Sequence, residues 1–355
     1  MAMSNSAKFS AENIISLKRY CQLLHTPMLA EERSVVSGCR YLAVDLDQTA
    51  EDMPAMPGQT VWQPNTTVIA FCKGSVDSLP EQTRRLLPFF DVVADTNIRD
   101  ELLNPALDNL QANPLASTAL IQLLRKNRQL SVEEGLMLES LTYSTLQHGA
   151  EFIRWLNRRT APKPDDSMPT HPVITHRNGD DLTITLNRGD KHNAFSAAMR
   201  EALCEALSFA EADHSIQRVL LQGAGRSFCA GGDLDEFGLA RDAAQAHLTR
   251  TTRSPARLID RISHRTTARL HGACIGAGIE MTAFAGRLVA SPGAYFALPE
   301  VGFGLVPGAG GTVRIPRRIG PHRAALLGLS GQRIDAALAL EWGLVDEIGD
   351  PAELS

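Results

Sequence analysis

The sequence lacks the segments that would place it in or across a membrane. No run approaches the roughly 18 consecutive apolar residues of a transmembrane helix, so we expect none. The N-terminal residues MAMSNSAKFSAEN contain no apolar stretch of the kind that a secretory signal requires. A strong excess of basic residues is also missing, since the 355 residues carry a net charge of −5. We therefore expect a cytoplasmic protein whose partner is neither a membrane nor a nucleic acid.

Cysteine is scarce and forms no pattern. The six cysteines include no CxxC pair, and no set of histidines, cysteines and carboxylates has zinc spacing. In a chain of this length we expect reduced thiols that pack as small apolar side chains, rather than disulfides or a metal site. The scattered positions are Cys21, Cys39, Cys72, Cys204, Cys229 and Cys274.

Several glycine-containing motifs are absent too. Neither GxGxxG nor the P-loop pattern occurs, so the glycine-rich turns do not indicate a dinucleotide or a nucleoside triphosphate. The nucleophile elbow GxSxG is missing, which argues against the serine hydrolases that use it. The chemistry that remains is acid–base catalysis by glutamate beside backbone donors.

Length and composition are those of a globular protein with about two domains. Hydrophobic residues make up 44% and charged residues 21% of the chain. Residues 160–172, TAPKPDDSMPTHP, contain four prolines and no apolar periodicity, as is typical of a linker. We place a mainly helical N-terminal domain at 1–160, the proline-rich linker at 161–172 and a second domain at 173–355.

The first domain contains mostly helical patterns. Ser131 with Glu134 forms a capping box, which predicts that a helix begins just after this serine. Residues 147–149 indicate a break in that helix, and we predict packing roles for Tyr143 and His148. Helical spacing of apolar residues covers 1–35, 81–95 and 114–160, and a strand is predicted at 40–44.

A short acidic motif follows the predicted strand. Asp45, Asp47 and Thr49 spell DxDxT, which resembles the aspartyl-nucleophile motif of haloacid-dehalogenase-type phosphatases. Five residues carry little information, and the residues that follow are irregular. We interpret the motif as the end of a strand that runs into an acidic loop.

The second domain alternates strands with helices. This order predicts an α/β fold that binds ligands near the ends of its strands. The predicted strands lie at 182–186, 219–221 and 267–270, and the predicted helices at 196–212 and 241–264.

Two glutamates, Glu280 and Glu300, stand beside glycine-rich turns in the stretch 271–312. Glycine allows a backbone N–H to approach a ligand closely or to adopt a positive φ. Carboxylates beside such donors suit enolate chemistry, because one part stabilises an oxyanion and another moves protons. From the residues alone, a structural or surface role for the two glutamates remains the alternative.

Residues 173–348 resemble the crotonase (enoyl-CoA hydratase/isomerase) superfamily, because several motifs occur in the order of that family. The resemblance implies an α/β core of repeated ββα units that binds an acyl-CoA thioester. It also implies no tightly bound cofactor, with coenzyme A as part of the substrate, and a homo-oligomer, either a trimer or a hexamer. The motifs are NRGDKHNAF, RSFCAGGDLDEF, HGACIGAGIEM, ALPEVGFGLVPGAGGT and LSGQRIDAALALEWGLVDEI.

The resemblance assigns a role to each matching position. The backbone N–H groups of Gly232 and Ala277 would form an oxyanion hole, although many members have glycine at the second position. Glu280 and Glu300 match the glutamate pair of the hydratases, which holds the water that adds to C2=C3. Positions that would contact the substrate or coenzyme A are Lys191, Asn193, Ala194, Arg226, Ala230, Asp233 and Gly278. For the two cations among them, a solvated surface charge is the alternative.

Two features depart from the usual pattern of the family. The family core usually continues well beyond GLVDEI as helices that cover the acyl group, so the domain at 173–355 would lack most of that region. The segments LPFFDVVADTNIRDELL and LSVEEGLMLESLTYSTLQHGAEFIRWL are similar to the helical extension of the cofactor-independent dihydroxyphenylacetyl-CoA dioxygenases. Those crotonase relatives have glutamine at the position of Glu280, which argues against a simple transfer of dioxygenase activity.

The resulting hypothesis is an acyl-CoA enzyme that hydrates an enoyl-CoA with its glutamate pair, and hence a lyase of the hydratase/isomerase type. One alternative is a cofactor-independent dioxygenase that acts on an arylacetyl-CoA. The others are an enoyl-CoA isomerase with Glu300 as the proton shuttle, and a non-catalytic crotonase-like scaffold. The acyl group of the substrate does not follow from the sequence.

Overall fold

The computed structural model describes residues 9–47, 62–159 and 171–349. Most of the predicted linker, residues 161–170, and the C-terminal residues 350–355 lie outside these ranges. Residues 48 and 49 of the DxDxT motif also lie outside them, whereas Asp45 ends a strand and its carboxylate accepts from the Asp47 N–H at 2.9 Å.

A four-stranded parallel sheet lies at the start of the chain. In spatial order its strands are β1 (Ile14–Ser16), β2 (Tyr41–Asp45), β3 (Thr67–Phe71) and β4 (Val92–Ala94). Successive side chains of β2 enter opposite apolar clusters, with Tyr41 and Ala43 in one and Leu42 and Val44 in the other. Both faces of the sheet are therefore covered, as is usual for parallel strands.

The sequence predicted one of these four strands. Strand β2 confirms the strand expected at 40–44, whereas the continuous helix expected over 81–95 is wrong beyond Arg84. Pro88 lies in a separate short 3-10 helix, Leu87–Phe89, and Val92–Ala94 pairs with β3 instead. The helices around the sheet are short: α1 (Leu17–Leu23), α2 (Leu29–Glu32) and α3 (Glu81–Arg84).

The rest of the N-terminal region is helical, which confirms the helices expected over 114–160, whereas the helix at Asp100–Ala112 was not expected. Its helices are α4 (Asp100–Ala112), α5 (Pro114–Asn127), α6 (Val132–Gln147) and α7 (Ala150–Asn157). The capping box is confirmed, since the Glu134 N–H donates to Ser131 Oγ at 3.3 Å and the Ser131 N–H donates to Glu134 Oε2 at 2.8 Å. The expected break after α6 is also confirmed, because His148 and Gly149 separate α6 from α7.

The second region contains a six-stranded and a three-stranded sheet among the described residues. The larger sheet has the spatial order β13-β10-β8-β7-β6-β5, in which only β5 and β6 pair antiparallel. The smaller sheet has the order β12-β11-β9. The strands are β5 (Val173–Asn178), β6 (Asp181–Leu186), β7 (Arg218–Gly223), β8 (Thr266–Leu270), β9 (Ala273–Ile275), β10 (Arg287–Ala290), β11 (Tyr295–Ala297), β12 (Ile334–Asp335) and β13 (Glu347–Ile348).

The helices of this region are α8 (Ala197–Ala212), α9 (Ala243–Thr252), α10 (Pro255–Arg261), α11 (Ala277–Glu280), α12 (Gly311–Ile319), α13 (Pro321–Ser330) and α14 (Ala336–Trp342). Two strands followed by a helix recur along the chain, as in β5-β6-α8 and β8-β9-α11. The expected α/β core of ββα units is therefore confirmed. The single helix expected at 241–264 is two helices, because Pro255 begins a second one and Ser254 Oγ accepts from the Arg257 N–H at 3.3 Å.

The helical part of the N-terminal region packs directly on the second region. Helices α4 and α5 lie against α13, while α6 lies against α9 and α12. Asn109 Nδ2 donates to the Leu329 carbonyl at 2.8 Å, and Arg317 donates to the Leu130 carbonyl at 2.7 Å. One apolar core contains residues of both regions, so the division into two domains stays a prediction. Within the described ranges, no helix has both the length and the apolar character needed to span a bilayer.

Candidate active site

A cavity of about 650 Å³ lies between the second region and helix α6. The backbone segments around Gly232 and Ala277 line it, together with the side chains of Glu280 and Glu300. Helix α6 closes one side with Leu136, Glu139, Ser140, Tyr143 and Gln147. The structure therefore brings the four predicted central residues to one cavity, with a wall supplied by the N-terminal region.

The N–H groups of the two expected oxyanion donors have no acceptor within the described residues. Gly232 lies opposite Phe195 in an isolated β-bridge, whose hydrogen bonds join Phe195 to Gly231 and Asp233. The Gly232 N–H takes no part in them and has no acceptor in the described ranges. Ala277 is the first residue of α11, where an N–H has no partner inside the helix. Two N–H groups thus remain available at the cavity wall.

Glycine is required beside these donors. Gly276 has a φ of 50° and a ψ of −123°, a combination that side chains disfavour. A Cβ at Gly276 would lie 2.5 Å from Glu300 Oε1. At Gly232 a Cβ would lie 2.9 Å from the Phe237 ring. The glycines of these turns therefore allow the backbone to approach the carboxyl group and the ring closely.

Glu280 is the last residue of α11 and is 2% exposed. Its Oε2 accepts from the Ala309 N–H at 2.7 Å and from the Gly311 N–H at 3.1 Å. Gly311 must lack a side chain, because a Cβ there would lie 2.8 Å from Glu280 Cγ. These bonds hold the carboxyl group at the N-terminus of α12, where the helix dipole favours negative charge.

Glu300 begins the 3-10 helix Glu300–Phe303 and is 8% exposed. Its Oε2 is buried and has no hydrogen-bond partner within the described residues. A buried carboxyl oxygen without a partner is costly, so such atoms are rare unless a ligand or water satisfies them. Glu300 therefore presents an oxygen that a bound molecule can use.

A third carboxyl group, that of Glu139 on α6, completes this cluster and was not predicted. It is 1% exposed, and its Oε1 accepts from the Gly310 N–H at 2.6 Å. Its Oε2 accepts from both the N–H and the hydroxyl of Thr312, at 2.9 and 2.6 Å. The first turn of α12 thus binds a carboxylate from the N-terminal region beside Glu280.

Burial raises the pKa of all three carboxyl groups. Burial raises the pKa of Glu139 to about 7, against the opposing effect of its hydrogen bonds from Thr312 and Gly310. Burial likewise raises the pKa of Glu300 to about 8, and the charge of Glu139 adds to this shift. Burial, and then the charges of Glu300 and Glu139, raise the pKa of Glu280 well above its usual range. The cluster therefore retains at least one proton near neutral pH.

The predicted coenzyme A contacts fall into two groups. Asp233 lines the cavity, and its carboxylate lies 2.5 Å from Nη1 of the buried Arg188. Gly278 lies one residue into α11 and is buried against Cys229, where a Cβ would lie 2.6 Å from the Cys229 carbonyl. Of the predicted contacts, Asp233 is the one that the cavity wall includes.

The other predicted contacts lie behind the cavity wall or at the surface. Asn193 is buried and bonds to backbone, since its Oδ1 accepts from the Arg188 N–H at 2.7 Å. The Ala230 N–H donates to the His192 carbonyl at 2.9 Å. Lys191 Nζ lies 3.3 Å from Asp235 Oδ2. Ala194 is half-buried and Arg226 is exposed, and neither lines the cavity.

Helix α6 contributes more to the cavity than the sequence patterns indicated. The Arg250 guanidinium lies 4.7 Å from the centre of the Tyr143 ring and also donates to Ser144 Oγ. Tyr143 thus has the packing role expected of it and also lines the cavity. His148 has the expected structural role, because its Nδ1 lies 3.1 Å from the Ser144 carbonyl. In the described ranges no group of three or more histidines, cysteines and carboxylates is placed to hold a metal ion.

A cavity with backbone donors and buried glutamates on a ββα core defines an enzyme of the acyl-CoA hydratase and isomerase class. In agreement, residues 178–355 match the enoyl-CoA hydratase/isomerase family. The chain is 35% identical over 184 residues to YngF of Bacillus subtilis, a match that covers 51% of this chain and 70% of YngF. The chain belongs to the enoyl-CoA hydratase/isomerase family, which is the crotonase superfamily that the motifs indicated.

Other relatives have named activities. The 1,2-epoxyphenylacetyl-CoA isomerase of Escherichia coli is 32% identical over 188 residues, with 52% of this chain and 71% of the relative covered. The 2,3-dehydroadipyl-CoA hydratase of the same organism is 36% identical over 176 residues, with 50% and 68% covered. Among solved structures, an enoyl-CoA hydratase from Thermoplasma volcanium has 32% identity and a TM-score of 0.48, with 52% of this chain and 74% of that one covered.

Proposed function

We propose that the protein hydrates the double bond of an enoyl-CoA. The observation that carries this proposal is that two buried glutamates meet two backbone N–H groups at one cavity, and that neither N–H group has an acceptor in the described part of the chain. A thioester carbonyl bound by the N–H groups of Gly232 and Ala277 would place its C2=C3 bond beside Glu280 and Glu300. Each such donor contributes about 3 kcal/mol to stabilising an oxyanion.

The hydrogen bonds assign different roles to the two glutamates. Two N–H groups donate to Glu280 and oppose the rise that burial and the neighbouring charges give its pKa, which suits Glu280 to act as the base while Glu300 holds the proton of the pair. No described group donates to Glu300 Oε2, which suits Glu300 to hold the proton. Glu280 takes a proton from water as the water oxygen bonds to C3, and the electron pair of C2=C3 moves into the thioester enolate.

Collapse of the enolate then forms the C2–H bond with the proton of Glu300. The product is the 3-hydroxyacyl thioester, and the proton has moved from Glu300 to Glu280 within the pair. One proton exchange between the two carboxyl groups or with solvent restores the starting state. The acyl-CoA is thus the substrate, with no further cofactor in the reaction. A cytoplasmic location and a homo-oligomeric state belong to the same proposal.

Purified protein with crotonyl-CoA tests this proposal. The enoyl absorbance should fall with wild type, and Glu280→Gln or Glu300→Gln should each reduce kcat by about 10²- to 10⁴-fold. Glu205→Gln is the matched control, because Glu205 is an exposed residue of α8 away from the cavity wall. Equal rates for wild type and both active-site variants would refute hydration by this pair.

The aromatic lining of the cavity favours a second candidate, a reaction on an arylacetyl-CoA. Phe195, Phe237 and Tyr143 all line the cavity and could contact an aromatic acyl group. The similarity to an isomerase of 1,2-epoxyphenylacetyl-CoA supports this substrate class.

Oxygen consumption with phenylacetyl-CoA would indicate dioxygenase chemistry, and a shifted double bond in a 3-enoyl-CoA would indicate isomerisation. No calorimetric binding of any acyl-CoA would leave the scaffold hypothesis.

A further inference from the structure

The first turn of helix α12 divides its backbone N–H groups between two carboxyl groups from different parts of the chain. The N–H groups of Ala309 and Gly311 donate to Glu280. The N–H groups of Gly310 and Thr312 donate to Glu139. Neighbouring donors therefore alternate between the two side chains, and moving either carboxyl group disturbs the turn that holds the other.

Glu139 reaches this turn from a distant part of the sequence. It lies 171 residues before Gly310 and comes from helix α6 of the N-terminal region. The contact is supported from the same side, because Asn127 Nδ2 donates to the Thr312 carbonyl at 3.0 Å. Gly310, which precedes α12, has no side chain to cap the helix, so Glu139 performs that task.

The effect of Glu139 on the pKa of its neighbours depends on the ionisable side chains that face it. Glu280 from α11 and Glu300 from the 3-10 helix are like charges when ionised, and both have their pKa raised by Glu139. Arg250 from α9 opposes this, because its guanidinium lowers the pKa of Glu139. Tyr143 lies one turn further along α6, and burial raises its pKa, so it stays neutral.

We propose that Glu139 is a positioning residue of the active site, which holds the Glu280 carboxyl group through the shared turn and places a third buried carboxyl group beside the Glu280–Glu300 pair. The N-terminal region thereby completes the active site of the second region. The catalytic consequence rests on the proposed hydration, whereas the effect on protonation does not.

Three variants separate position from charge. Glu139→Asp keeps the charge but withdraws the carboxyl group by one methylene, so kcat should fall by about 10²-fold while the pH profile stays in place. Glu139→Gln keeps the length but removes the charge, so kcat should fall and the whole pH profile should move about one unit to lower pH. Thr312→Val removes the hydroxyl that donates to Glu139 and so raises the pKa of Glu139, and the pH profile should move in the same direction as in Glu139→Gln but by less.

A direct titration tests the charge effect without any activity. In protein labelled with ¹³C at the glutamate carboxyl carbons, the resonances lost in Glu280→Gln and Glu300→Gln identify the pair. In Glu139→Gln the pair should titrate about one unit lower than in wild type, because a like charge has been removed. Thermal unfolding of each variant checks that it is folded.

The outcomes distinguish the two proposals. Unchanged midpoints of the pair in Glu139→Gln would overturn the role of the charge, even in a protein that does not hydrate crotonyl-CoA. Undiminished kcat in Glu139→Asp would overturn the positioning role. If wild type does not hydrate crotonyl-CoA but the midpoints of the pair shift in Glu139→Gln as expected, the proposed function alone is refuted. If Glu139→Gln fails to fold, the titration in Thr312→Val decides instead. Loss of the Thr312 hydroxyl raises the pKa of Glu139 and leaves less of its charge, so the pair should titrate at lower pH than in wild type, and unchanged midpoints would overturn the role of the charge.

Discussion

Gly276 is the position where one added methyl group should lower both the activity and the stability of the protein. In Gly276→Ala the new Cβ would lie 2.5 Å from Glu300 Oε1, about 1 Å closer than carbon and oxygen tolerate. The backbone there has a φ of 50° and a ψ of −123°, which alanine adopts only with strain of about 1–3 kcal/mol. The carboxyl group must therefore move, or the turn must open.

Both responses affect the site. A displacement of about 1 Å at a reacting group costs about 10²-fold in rate, so kcat for crotonyl-CoA should fall by that factor. KM should change little if, as proposed, the coenzyme A portion provides most of the binding of the substrate. The free energy of unfolding, measured by urea denaturation, should fall by about 1–3 kcal/mol.

Two other glycines provide matched controls. Gly179 has a φ of 60° and no atom near its would-be Cβ, so Gly179→Ala tests backbone strain without a contact. Gly293 has neither a positive φ nor a neighbour, so Gly293→Ala tests the substitution itself. Gly179→Ala should lower stability and leave kcat unchanged, while Gly293→Ala should change neither. Wild-type kcat in Gly276→Ala would refute the placement of Glu300 as a reacting group.

Three further predictions concern stability. Burial raises the pKa of Glu300 from 4.5 to about 8, so the contribution of Glu300 to stability is complete at low pH and is lost as pH rises through that range. Glu300→Gln should therefore lose less stability than wild type between pH 5 and pH 9, as measured by urea unfolding. Ser131→Ala removes the capping box with Glu134 and should cost about 1 kcal/mol, seen as a lower midpoint of thermal unfolding. Asp233→Asn removes the carboxylate that pairs with the buried Arg188 guanidinium and should cost about 3 kcal/mol in urea unfolding, whereas replacing both residues by apolar ones should cost less.

Elements that local patterns specify were predicted well. The capping box at Ser131 and the break at Gly149 rest on neighbouring residues, and both are where the sequence indicated. The parallel sheet of the N-terminal region was largely missed, since its strands are three to five residues long and are held by partners distant in sequence. For Val92–Ala94, pairing with β3 overrides the apolar spacing that suggested a helix.

In the active site too, residues within local motifs were predicted and the residue that comes from a distant part of the chain was not. Motifs along the second region suggested Glu280 and Glu300, and the structure brings both to one cavity with Gly232 and Ala277. Glu139 was not predicted, because a glutamate in a helix has no local feature that distinguishes it from a solvated charge. The glycine-rich turn before α12 did signal free N–H groups, but a turn does not identify a carboxyl group from so far along the chain.

The three buried carboxyl groups are the strongest indication that this cavity serves chemistry rather than packing. Burying one ionised carboxyl group is unfavourable, and burying a second and a third beside it is more unfavourable because like charges repel one another. Apolar side chains of similar size would form a more stable core, since burying ionisable groups rarely adds net stability. Glu300 is the clearest case, because its Oε2 is buried without any described partner. A variant such as Glu300→Leu should therefore unfold at a higher urea concentration than wild type at neutral pH while losing hydration. A less stable Glu300→Leu would instead mean that the carboxyl group supports the fold, and the case for its catalytic role would weaken accordingly.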